Sequence, residues 1–154
     1  MNNPYAPPTA HDAAPVVDER DRADLFIDSL PPPILKGAAL AWFVMGLAVA
    51  FFLLHIVTDL VLTAVVIGVA IVHGLLALAC FGVAAGLLRG KKSLAWLGFV
   101  LAPVLFIASG FALYTGALAG LMAMALVLLA PALTAAAWSA LGKVGRAREL
   151  LAAR

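Results

Sequence analysis

The sequence predicts an all-α fold: an integral membrane bundle of four helices with both chain ends in the cytoplasm. Three observations predict this fold class. Of the 154 residues, 65% are hydrophobic and only 12% are charged, whereas soluble domains are about half apolar and a quarter charged. The apolar residues form four segments, each long enough to cross a hydrocarbon core of ~30 Å. The basic residues flank these segments in an alternating pattern.

Residues 1–33 are predicted to form an acidic, proline-rich cytoplasmic tail that is disordered. They carry six acids against two bases, and four of the first 17 residues are prolines. Such a segment buries too little apolar surface to offset the entropy of chain ordering. Residues 18–30 could instead form a short interfacial or docking helix that ends before the three prolines at 31–33. The apolar residues at helical spacing there are Ala23, Phe26, Ile27 and Leu30.

The transmembrane domain is predicted over residues 34–141. Its four helices cover about 37–57, 65–88, 93–114 and 117–141. In water these helices would expose apolar side chains all round, whereas in lipid each helix satisfies its own backbone hydrogen bonds. Only a few residues join the third and fourth helices, so these two are expected to pack as an antiparallel hairpin.

Charge predicts the orientation of the four helices. The connections around Thr58 and Thr115 contain no base. Bases do occur before the first helix, between the second and third helices, and after the fourth. This alternation is the positive-inside pattern, and it places both termini in the cytoplasm. Trp42, Trp96 and Trp138 fall near the same inner interface, where indole rings favour the headgroup layer. The bases at the inner ends are Lys36, Arg89, Lys91, Lys92, Lys143, Arg146, Arg148 and Arg154.

Residues 142–154 are predicted to form a basic cytoplasmic helix that continues the fourth membrane helix. One side of it is apolar, so we expect it to lie against anionic lipid headgroups. The acidic tail is a rival partner, because it faces the same compartment and carries the opposite charge. The apolar side consists of Val144, Ala147, Leu150 and Leu151.

Small residues at four-residue spacing predict two helix-packing stripes. Small side chains let a neighbouring backbone approach closely. The partner is either another helix of the same bundle, which must use some stripe internally, or a second protein chain. The residues of the stripes are Ala79, Gly82, Gly86 and Gly90 on the second helix, and Gly116 and Gly120 on the fourth.

Two prolines fall near the middle of predicted helices. Pro103 and Pro131 each remove a backbone donor and free a carbonyl, so kinks are expected. Paired kinks could open a transporter-like cavity or act as a hinge. Membrane helices also tolerate proline without any such role, and this is the default interpretation.

His73 is the polar residue predicted to lie deepest in a helix, and three roles are open to it. With His55 it could ligate a b-type haem between the first two helices. With His55 and Asp59 it could form a proton or ion path from the outer face. As the default, its ring bonds a backbone carbonyl or hydroxyl on the next helix.

The sequence contains no catalytic or metal-ligating motif. The patterns C-x-x-C, H-E-x-x-H and G-x-S-x-G do not occur, and the apolar segments hold no acid cluster. The protein is therefore expected not to be an enzyme. Nucleic acid is not an expected partner either, because the bases sit at helix ends and are not interleaved with aromatic residues.

The expected function is that of an accessory or scaffold subunit of a membrane complex, bound to another membrane protein or to copies of itself. The lack of chemical motifs, the small-residue stripes and the two charged cytoplasmic ends motivate this expectation. One alternative is a small oligomeric channel or transporter that uses the midplane kinks. A second alternative is an electron-transfer subunit that binds haem b.

The chain as a whole shows a resemblance to a known group of proteins, and two short segments are its most recognisable features. They are the proline-rich start at residues 3–8 (NPYAPP) and the basic turn at residues 86–92 (GLLRGKK), which Trp96 follows. With these features the chain resembles the small four-helix membrane proteins common in high-GC bacteria. The resemblance implies a multi-pass protein of the bacterial plasma membrane, and it implies no active site.

Overall fold

The computed structural model describes residues 19–59, 63–115 and 117–153, with side chains described except at 19–20, 55–56, 59 and 110–121. The predicted disorder of residues 1–18 therefore concerns residues outside the described part. Within that part the fold is all-α, as predicted, with helices joined by short turns. The helices are α1 (Glu19–Asp28), α2 (Pro33–Asp59), α3 (Ala64–Leu88), α4 (Lys92–Thr115), α5 (Ala117–Ala136) and α6 (Trp138–Ala152).

Local signals explain where several helices begin and end. The chain between α1 and α2 contains Pro31 and Pro32, and Pro33 is the first residue of α2, a position where the missing N–H is not needed. Thr63 caps α3, because its hydroxyl accepts a hydrogen bond from the N–H of Val66 at 3.3 Å. The three prolines therefore both end α1 and start α2.

Three helical stretches are long and apolar enough to cross a membrane: Asp21–Leu54, Ala64–Leu88 and Lys92–Ser109. A fourth passes the same test only when Met122–Ala136 and Trp138–Ala152 are taken together. That pair is bent by 58°, so the predicted continuous helix over 117–141 is broken at Ala137. The basic C-terminal helix consequently starts at Trp138 and does not continue the direction of α5.

Tertiary packing explains the bend at Ala137. Backbone hydrogen bonds continue through it, since the Ala137 N–H bonds the Leu133 carbonyl and the Ala137 carbonyl accepts from Leu141, both at 2.9 Å. Beyond the bend, α6 buries Leu141, Val144 and Ala147 against the rest of the chain. Burial of these side chains favours the turned direction. The sequence around Ala137 contains no helix breaker that predicts the bend.

The four long helices pack side by side. Helix α2 contacts α3 and α5, and α4 contacts the same two helices, while α1 packs against α6. The buried residues of α2 lie in its first half and include Leu35, Trp42 and Met45. Those of α3 lie in its second half, nearest α6. Many large apolar side chains elsewhere on α2–α5 are exposed, for example Phe51, Val65 and Ile107 at 74–75%.

Candidate functional site at the charged end

The turn between α3 and α4 is a tight helix C-terminal cap. The Gly90 N–H bonds the Leu87 carbonyl at 3.2 Å, and the Lys91 N–H bonds the Gly86 carbonyl at 2.9 Å. These two bonds form a Schellman motif, which requires a left-handed residue that only glycine adopts at little cost. Gly90 supplies it with a φ of 72°. This glycine, predicted as part of a packing stripe, therefore lies in the turn.

Gly90 also lets the turn touch α6 backbone to backbone. A Cβ added at Gly90 would lie 2.8 Å from the Gly145 nitrogen, and one added at Gly145 would lie 2.7 Å from the Gly90 carbonyl oxygen. Neither position can carry a side chain without movement of backbone. The two glycines therefore allow a basic turn to lie against a basic helix, where like charges repel each other.

Helix α1 packs against α6 at the same end of the molecule. The Arg148 Nε–H donates to the Ser29 carbonyl at 3.1 Å, which joins residues far apart in the chain. The described acids of α1, namely Asp21, Asp24 and Asp28, are exposed. The acidic part of the tail was the predicted rival of lipid for α6, and its helix does contact α6. We call α1, the turn Arg89–Lys91 and α6 together the charged end.

Beside this contact, an open groove of about 730 Å³ lies between the turn and α6. The Lys92 side chain reaches across it, since its Nζ would lie 3.2 Å from a Cβ at Gly142. Arg146 is held nearby, where its Nε–H donates to the Gly142 carbonyl at 3.3 Å. Five bases and one acid line the groove: Arg89, Lys91, Lys92, Arg146, Arg148 and Glu149. From the sequence, Arg146 and Arg148 were expected to face anionic headgroups and all of these bases to set the orientation, but the groove was not predicted.

The predicted stripe on α3 is not one surface. A Cβ at Gly82 would meet nothing within 4 Å, whereas one at Gly86 would clash with the Leu94 side chain of α4. Gly86 therefore packs inside the chain. Gly116 lies outside the described residues, and the surroundings of Gly120 are also undescribed. Ala79, which leads into the stripe, is half-buried.

His73 bonds its own helix. Its Nδ1–H donates to the Val69 carbonyl at 2.8 Å, one turn earlier in α3. The expected acceptor on a neighbouring helix is therefore not the one observed. Its ring lies 5.3 Å from that of Phe52 on α2. A carbonyl only accepts, so Nε2 of the neutral ring keeps its lone pair. The side chains of His55 and Asp59 lie outside the described part, so the haem pair and the ion path stay predictions.

Trp42 does not face the interface that the sequence predicts for it. It is 1% exposed, and its indole N–H donates to the Thr134 hydroxyl at 2.9 Å. Thr134 in turn donates to the Ala130 carbonyl at 2.8 Å. Gly98 leaves room for the indole, because a Cβ there would lie 2.8 Å from Trp42 Cζ2. In the sequence, the only hint of this contact was that a large residue, Trp42, and a small residue, Gly98, occur on different helices.

The other two tryptophans form an aromatic cluster at the bend. The ring centroids of Trp96 and Trp138 are 6.2 Å apart, and Phe99 lies 5.9 Å from Trp96 and 6.1 Å from Trp138. Trp96 is 60% exposed, and its place at a membrane interface stays a prediction. Pro103 and Pro131 lie inside α4 and α5, which continue past them, so kinks at these prolines stay predictions.

No group of three or more His, Cys, Asp or Glu side chains that could hold a metal ion occurs among the described residues. Chemically, the charged end can bind anions in its groove and offer charged side chains to a partner. Comparison with protein-family models, curated proteins and solved structures finds no match for the chain.

Proposed function

We propose that the protein is a non-enzymatic scaffold, an accessory subunit of a membrane complex in the bacterial plasma membrane. In this proposal α2–α5 form a four-helix bundle across the bilayer, and both termini are cytoplasmic. The exposed apolar side chains of α2–α5 support insertion, because such surfaces are unfavourable in water and are solvated by lipid chains. The alternating bases support the orientation.

The observation that carries the scaffold role is the contact between α1 and α6. Arg148 of α6 bonds the carbonyl of Ser29 after α1, so both helices contribute to one charged surface beside the bundle. Exposed carboxylates of α1 and exposed bases of α6, among them Lys143 and Arg146, are available to a partner. Complementary charge on a partner would steer its docking to this surface.

Arg148→Ala tests the role of this contact. Wild-type protein, extracted from its native membrane in mild detergent, is expected to elute with a mass well above that of one chain, with a partner identified by mass spectrometry. Arg148→Ala is expected to lose that partner because α1 detaches from α6. Lys143→Ala is the matched control, since it removes an exposed base of the same helix without breaking the α1–α6 contact. Elution of the wild type as a bare single chain would contradict the proposal.

The same preparation separates the two alternatives. A Soret band that His73→Ala abolishes would indicate the haem-binding electron-transfer subunit. Ion flux through proteoliposomes of the protein alone would indicate the channel or transporter. The scaffold proposal predicts a colourless protein and no flux.

A further inference from the structure

We propose that the groove between the α3–α4 turn and α6 is a binding site for a phosphate-bearing anion. The phosphate belongs either to a phospholipid headgroup or to a free phosphate compound, and both share the chemistry that the groove recognises. The choice of a lipid rests on the proposed membrane placement, whereas the recognition of phosphate does not.

Positive charge is concentrated in the groove and fixed there by the backbone. Five of its lining side chains are basic and one is acidic. Among the described residues, the side chains of Arg89, Lys91 and Lys92 have no hydrogen-bond or ion-pair partner. The close approach of Gly90 and Gly145 brings the two basic segments together. An anion in the groove would relieve the repulsion between them.

The donors suit phosphate. Arg148 and Arg146 each use Nε on a backbone carbonyl, which orients the guanidinium group and leaves its terminal nitrogens as donors. Arginine binds phosphate through such paired donors, and lysine adds a compact positive charge. Ser93 also lines the groove and offers a hydroxyl. The groove is open to one side, so a headgroup could enter while its acyl chains stay outside.

The position of the groove favours a lipid. It begins where the apolar residues of α3 end, at Arg89, and where α4 starts, at Lys92. With α3 and α4 across a bilayer, this level is that of the headgroup phosphates. Trp96, one turn further along α4, is exposed as interfacial tryptophans are.

Thermal stability of the purified full-length protein in a zwitterionic detergent tests the proposal. The ligands are short-chain phosphatidylglycerol, short-chain phosphatidylcholine and inorganic phosphate. Phosphatidylglycerol is expected to raise the melting temperature, and R89Q/K91Q/K92Q is expected to need at least about tenfold more of it. K36Q/K143Q, which neutralises two bases outside the groove, is expected to respond like the wild type. Stabilisation by inorganic phosphate at equal concentration would identify a free phosphate as the ligand.

Lysine acetylation of the wild type gives a second readout that needs no variant. Bound phosphatidylglycerol is expected to protect Lys91 and Lys92 and to leave Lys36 and Lys143 reactive. Phosphatidylcholine is expected to protect none of them. Equal protection of all four lysines, or no stabilisation by either phosphate source, would overturn the groove proposal. Because these measurements use the isolated chain, they leave the scaffold proposal to its own test.

Discussion

At the residue scale, the buried polar contact between Trp42 and Thr134 joins α2 to α5. The Trp42 indole N–H donates a hydrogen bond to the Thr134 hydroxyl within an apolar core, and that hydroxyl donates to the Ala130 carbonyl of α5. A buried donor that loses its acceptor keeps the full cost of desolvation. The contact therefore specifies how α2 faces α5, beyond what apolar packing alone would fix.

Thr134→Val removes the hydroxyl and keeps the shape of the side chain. We expect it to lower the free energy of unfolding in detergent by about 1–3 kcal/mol, because the Trp42 N–H is left without an acceptor. Ser109→Ala is the control, since the Ser109 hydroxyl bonds only the Leu105 carbonyl of its own helix. Equal losses in the two variants would show that the contact between helices contributes nothing of its own.

Trp42 also shows what hydropathy leaves undetermined. The pattern of bases predicts how deep a residue lies along a helix, but not which way it faces around the axis. The rotation of α2 is decided by Gly98 and Thr134, which lie far away in the sequence. For this reason the sequence predicted an interfacial indole where the structure has a buried one.

At the element scale, α3 and α4 meet where glycine removes a side chain. A side chain at Gly86 would clash with Leu94 of α4, whereas one at Gly82, one turn earlier, would enter open space. Both glycines belong to the predicted stripe, but only Gly86 takes part in packing within the chain.

Gly86→Leu is expected to destabilise the monomer by forcing α3 and α4 apart, by about 1–3 kcal/mol as for other overpacked sites. Gly82→Leu is expected to leave the melting temperature of the monomer nearly unchanged, because the new side chain enters open space. Melting in detergent, followed by size exclusion, measures both effects. Loss of an oligomer in Gly82→Leu would instead place a contact between chains at that position.

The ends of helices were more predictable than their directions. The predicted helix over 65–88 and the observed α3 nearly coincide. Thr63 caps the start of α3, and Gly90 lies in the turn that ends it, although the prediction used neither residue as an end signal. The bend at Ala137 was not predictable in this way. It depends on burial of Leu141 and Val144 against distant parts of the chain, and no residue near Ala137 predicts it.

Helix α6 has two possible partners, and the structure pairs it with α1. In liposomes of zwitterionic lipid, the full-length protein is therefore expected to resist trypsin cleavage after Arg148. Deletion of residues 1–30 is expected to expose this site, because Arg148 loses the Ser29 carbonyl. Anionic lipid should restore part of the protection through attraction to the bases. Protection that depends on lipid alone would contradict the role of α1.

At the scale of the whole molecule, the charged groups and the apolar surface are separated. The bases of the turn and of α6 gather with the acids of α1 at one end, and exposed apolar side chains cover the long helices. Composition, the four long apolar segments and the placement of the charges along the chain predicted the all-α class and this separation. The groove was not predictable, because it depends on contact between two glycines, Gly90 and Gly145, from different parts of the chain.

We have proposed that the long helices cross a bilayer with the charged end in the cytoplasm. Single cysteines, introduced one at a time into a Cys80→Ser background in intact cells, test this orientation most directly with a membrane-impermeant thiol reagent. We expect labelling from outside at Thr58 and Thr115, and labelling at Ser93 and in the N-terminal tail only after the cells are opened. Labelling of Ser93 from outside would contradict the orientation and remove the cytoplasmic setting of the charged end.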